Sequence, residues 1–168
     1  MELKDYLLAQ LDREAALTRK AIDRVPSGQN DFKPHERSME LGYLAALVAH
    51  MLGWIATMID KDELNIDESQ NNFRPAVASH KSELLADLDK QVAEARRALS
   101  TTTNEHLLTQ WAFKINGQAV QQGPRHVMIC DGVFSHLAHH RGQLTVYLRL
   151  NQAAVPALYG PSADEGNM

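Results

Sequence analysis

The stretch Pro124–Asn151, PRHVMICDGVFSHLAHHRGQLTVYLRLN, decides the fold. Advanced at roughly 100° per residue from His140, it places Ile129, Val133, His136, Leu144 and Tyr147 within about 40° of that residue. This is the stripe of a helix packed on a core, and Pro124 suits its first turn. Three earlier segments carry the same spacing. Leu3, Leu7, Leu11, Thr18, Ala21, Ile22 and Val25 trace one stripe, ended by Pro26 and Gly28. A second segment runs from Met39 to about Ile59, with Ser38 as its expected cap. A third runs from about His80 to Leu99, with Ser79 as cap and Leu84, Leu88, Val92 and Ala95 inside.

Residues 61–79 are polar, include Pro75 and read as a connection; at roughly 3.3 Å per residue it could cross the length of a bundle. Ser100 and three threonines read as a loop. Trp111–Ile115 alternates partly and meets Asn116-Gly117, a strong hairpin signal, with Gln118-Ala119-Val120 returning. That pattern predicts a small flap, too little for a sheet core. Pro156, Gly160 and Pro161 mark an irregular tail over 152–168. The expectation is one all-α domain over residues 1–168. It would be a four-helix bundle with two long connections and a hairpin-like flap before the last helix.

Composition narrows the function. The 168 residues carry 21 Asp plus Glu against 17 Lys plus Arg, a net charge of −4, with no basic run. A surface gripping nucleic-acid phosphates is therefore not expected. The single cysteine, Cys130, excludes an internal disulfide and a zinc site made of several thiolates. No stretch approaches 18 consecutive apolar residues, so no membrane partner is expected. The opening residues lack the blocks of a signal peptide, and a cytoplasmic setting follows as the expectation.

Eight histidines are the unusual count, and three of them fall on inward faces. His136 and His140, four apart, stack one turn from each other on the same side. On the second helix Met39, Tyr43, Ala46, Trp54 and Thr57 lie within about 40° of His50, which therefore also points inward. Three imidazoles could meet on one divalent ion and leave a position open for water or substrate. A lone histidine on an apolar face is ordinarily a bonded core side chain; an i,i+4 inward pair with a third on another helix is harder to explain so. His139 lies about 100° off the stripe, as a surface or supporting residue. His126 is too far along the axis to share the ion, and His35, His80 and His106 fall in loops or near helix ends. Arg141 points about 100° from the histidine face, which suits an ion pair or interface. Cys130 reads as packing.

The segment His139-His140-Arg141-Gly142-Gln143, preceded by His136, resembles the signature closing the last helix of DinB-like (DinB/YfiT) proteins. Residues 32–38 (FKPHERS), Ala49-His50-Met51-Leu52-Gly53-Trp54 and Pro156–Asp164 are similar to further family segments, in order over nearly the full length. The resemblance implies an up-down-down-up bundle, often a homodimer. It also implies a divalent metal, often nickel or zinc, on His50, His136 and His140. Relatives include thiol-dependent S-transferases.

The leading expectation is a metal-dependent enzyme acting on a small molecule. It would activate either a low-molecular-weight thiol, as an S-transferase, or water, as a hydrolase. The alternative is a non-catalytic, metal-binding stress-response bundle with a structural ion. If the second and fourth helices run antiparallel, Tyr43 and Tyr147 lie on one side of the metal and border the substrate entrance. The competing reading has them buried and bonded to backbone.

Overall fold

Apolar stripes set the helices. The computed structural model describes residues 2–67 and 75–166. Helix α1 spans Leu3–Asp23, opened by a capping box between Glu2 and Asp5. It is followed by α2 (Leu41–His50), a 3-10 turn (Met51–Gly53) and α3 (Trp54–Asp60), which continue one another. Glu40, not Ser38, precedes α2, and no side chain caps it. The residue before α4 (Lys81–Thr101) is His80. Ser79 contributes its backbone N–H, donated to Glu83 Oε2 at 2.8 Å, instead of a capping hydroxyl. A short α5 (Asn104–Leu108) forms where the threonines suggested only a loop, capped by Thr103.

The all-α expectation is corrected by a three-stranded mixed sheet. Strand β1 (Glu63–Ile66) pairs parallel with β2 (Gln110–Ile115), which pairs antiparallel with β3 (Gln118–Pro124). The expected flap is thus the β2–β3 hairpin, turned at Asn116 (φ 49°) and Gly117 (φ 81°), the positive angles that Asn-Gly tolerates. What the sequence reading left out is β1, within the supposed connection. There Leu64 and Ile66 face inward while Glu63 and Asn65 face out. The rest of that connection, residues 68–74, lies outside the described residues. A bulge between Phe113 and Lys114 leaves Val120 as the extra residue on β3.

The last helical run is not uniform. It comprises α6 (Arg125–Ile129), a π-helical turn (Cys130–Ser135) and α7 (His136–Leu150). No element follows among the described residues of the tail. The run Leu41–Asp60 is long and apolar enough to cross a membrane by composition alone, but 78% of it is buried within the protein, as a core helix is. Gly53 lies where α4 comes closest: a Cβ there would sit 1.8 Å from Gln91 Oε1.

Two buried arginines lock the layers together. Arg125, fully buried, donates to the Met58 carbonyl, to the Lys61 carbonyl at 2.6 Å and to Asp62 Oδ1 at 3.0 Å. It thereby ties the end of α3 to the start of α6, beside the sheet. Arg141 is likewise buried, against Glu14, which is 2% exposed. Its Nη2 donates to Glu14 Oε2 at 2.5 Å and to the Tyr159 hydroxyl; Nη1 donates to Thr18 Oγ1 at 2.8 Å and to the Glu14 carbonyl at 3.1 Å. The Tyr159 hydroxyl donates to Glu14 Oε2 at 2.8 Å. Arg141 thus makes the structural ion pair that its off-face position suggested.

Removing one partner strands the other charge in the interior. Arg141→Met is expected to lower unfolding free energy by about 3–5 kcal/mol in urea titration, and the double variant Glu14→Leu/Arg141→Met to recover most of that loss. A single-variant loss under about 1 kcal/mol would show that the pair does not hold α1 to α7.

Candidate metal centre and its cavity

His136 opens α7 and His140 follows one turn later, so both rings leave the helix on one side. Their Nε2 atoms stand 2.8 Å apart. His140 Nδ1 lies 2.8 Å from Gln143 Oε1, so Nδ1 carries the proton and donates it. The Gly132 carbonyl lies close enough to the His136 ring to favour its protonated form. At that distance the two Nε2 atoms share either one proton, as N–H···N, or one cation. This donor set fits two positions of a divalent ion that takes imidazole nitrogen.

Partial desolvation lowers the pKa of both rings, although His136 is exposed as a residue and only His140 is buried. For His136 the Gly132 carbonyl opposes the shift and His139 adds to it; for His140 Gln143 opposes, and His136 and His139 add. His139 itself is exposed, its ring centroid 5.0 Å from that of His140.

The third expected ligand is placed differently. His50 ends α2, and its Nδ1 lies 3.0 Å from Asp87 Oδ2 on α4. Asp87 Oδ1 in turn accepts from Gln91 Nε2 at 2.8 Å. A carboxylate holding Nδ1–H fixes the tautomer that leaves Nε2 free to ligate. His50 lines a cleft adjoining the cavity that holds His136 and His140, and Trp54 lines both. The Trp54 ring centroid is 5.9 Å from that of His136. Among the described residues, no three His, Cys, Asp or Glu side chains are gathered as a ready ligand set. The structure therefore joins two of the three histidines and sets the third next door.

The cavity beside His136 and His140 measures about 750 Å³. Helices supply one wall and the inward face of the sheet the other, the bulge turning both Val120 and Gln121 toward it. Tyr43 lines it. Tyr147 instead is buried, its hydroxyl donating to the Met39 carbonyl at 3.0 Å and its ring edge-on to Phe32. The residue that sequence reasoning missed is Asp131, on the cavity wall. Uniform helical rotation puts it opposite His140, but the π turn adds about one residue, close to 100° of phase, before α7 begins. Cys130 packs against the core, and burial, with Asp131 beside it, raises its thiol pKa, as suits a packing residue. His106 and His126 bond the carbonyls of Ile59 and Leu107, so neither is merely solvated.

The chain belongs to the DinB family, whose model matches residues 1–167. It is 26% identical over 162 residues to the uncharacterised protein YrdA of Bacillus subtilis (strain 168), covering 96% of this chain and 90% of that one. Among solved structures it resembles the DinB-like protein YjoA of Bacillus subtilis (TM-score 0.65, 17% identity, 90% of this chain and 96% of that one). A DinB-like protein of Bacillus cereus ATCC 10987 is similar too (TM-score 0.67, 21% identity, 88% and 92%). At those identities the likeness establishes the fold.

The lowered values set a pH window for the metal-depleted chain. An unfolded histidine titrates near about 6.5, so as pH falls through that value the unfolded chain takes up protons before the folded one. The stability tied to these rings is complete above that pH and is lost below it. Chelator-treated protein is expected to melt at progressively lower temperature from pH 7.5 to 5.5, and His136→Asn/His140→Asn to flatten the slope. An unchanged slope in that variant would contradict the assignment.

Proposed function

We propose that the protein is a metal-dependent enzyme whose divalent ion, nickel or zinc, is held by His136, His140 and His50. The supporting observation is the pair of Nε2 atoms facing each other at 2.8 Å, with Nδ1 of His140 turned away to Gln143. When bound, the ion would supply Lewis acidity toward a low-molecular-weight thiol, in an S-transferase type of reaction, or toward water, in a hydrolase type.

The chain's own residues do the rest. Gln143 holds the His140 ring with Nε2 turned to the cavity, and Asp87, steadied by Gln91, orients His50. Asp131 is a carboxylate within the cavity that can accept the proton a thiol or water gives up. Apolar walls from helices and sheet flank the rings, while the side bearing His136, Asp131, Val120 and Gln121 stays open to solvent. A structural ion would need no cavity of this size at its side, which favours the catalytic reading over a non-catalytic stress-response bundle. A lone, reduced cysteine suits a cytoplasmic setting.

Elemental analysis of the purified full-length chain tests the site. About one divalent ion per chain is expected, falling to background in His136→Ala and His140→Ala, while Asp87→Ala weakens metal affinity by about 10–100-fold. Unchanged metal content in His136→Ala would overturn the reading. Turnover in a screen of small thiols with electrophilic acceptors, lost on chelation, separates the transferase type from the hydrolase type.

A further inference from the structure

The cavity says more about its occupant than the histidines do. At about 750 Å³ it has the size of a site for a small organic molecule. Trp54 from the helices and Phe113 from the sheet supply aromatic rings, and Met58 and Met128 supply flexible thioethers that adapt to an irregular shape. Among the described residues no lysine or arginine lines it, and Asp131 is the one carboxylate that does. Away from the ion itself, an anionic group would meet no cationic side chain among the described residues and would meet a like charge at Asp131, which is partly in solvent.

We propose that this cavity binds a neutral, apolar, ring-containing small molecule, and that Asp131 discriminates against anionic ones. The proposal rests on the reading of the cavity as the substrate's place beside the histidines. Specificity then comes from the sheet as much as from the helices. The β3 bulge brings Val120 and Gln121 together onto the sheet wall, where a regular strand would turn one of them away.

Two dyes with the same rings test this: N-phenyl-1-naphthylamine, which is neutral, and 8-anilinonaphthalene-1-sulfonate, which carries a sulfonate. Each is titrated by fluorescence into the full-length protein, as purified and after chelation. The chelated sample decides, because a bound cation would itself attract the sulfonate. There the neutral dye is expected to bind at least about tenfold more tightly than the anion. Asp131→Asn should leave the neutral dye unchanged and tighten the anion by about threefold or more. Val120→Trp, at a half-exposed strand position, and Thr57→Trp should each weaken the neutral dye by about tenfold by filling its space. Absence of saturable neutral binding, equal or tighter anion binding, or full binding in both tryptophan variants would overturn the proposal. Metal content of the same samples separates the two readings. Dye binding by a chain that takes up no metal removes the metal centre alone; metal-loaded protein that ignores the dye removes the ligand class alone.

Discussion

The ion pair of Glu14 with Arg141 fixes the rotation of α7, and the direction of its histidine face follows from that rotation. Arg141 directly follows His140, so its side chain leaves the helix about 100° away. Once the guanidinium is bound to α1 through Glu14 and Thr18, the histidine pair has no choice but to face the cavity. A pair this deep contributes little net free energy against an apolar substitute. Its value is directional: an apolar stripe tolerates some rolling of one helix on another, whereas a guanidinium with several bonded partners does not.

Arg125 plays the complementary role at the other end of the cavity. By gathering the Met58 and Lys61 carbonyls it closes the end of α3, where the chain leaves the helical layer for β1. The cavity wall is therefore carried on a corner held by backbone bonding. The two arginines share a device, a buried fork bonded to several acceptors, although Nε of Arg141 stays without one, and each sits where helices alone would leave the geometry loose.

Much of this was legible in the sequence, for reasons of range. The long helices α1 and α4 could be read because their stripes are local and regular. The His136/His140 pair could be read because i,i+4 spacing is a property of one helix. Glu14 stood in plain view between Leu11 and Thr18 on the α1 stripe, but its partner lies 127 residues away, and no local rule connects them. Strand β1 was hidden for a similar reason: two apolar residues, Leu64 and Ile66, make a strand only because β2 is there to receive them. Asp131 was lost to the π turn, which breaks the phase that rotation arguments assume. The caps at Ser38 and Ser79 failed because the backbone turned in two and one residues later, at Glu40 and His80.

The parallel pairing of Glu63 with Ala112 has a consequence for how the molecule comes into being. Joining β1 to β2 closes a long loop that contains all of α4, and the chain entropy surrendered in that closure is recovered only when the sheet docks. Helical contacts of shorter range can form beforehand. The cavity thus has no partial version: it arises when the two distant strands meet, so a ligand that binds the folded chain alone would act as a clasp on the completed fold and not as a template for it.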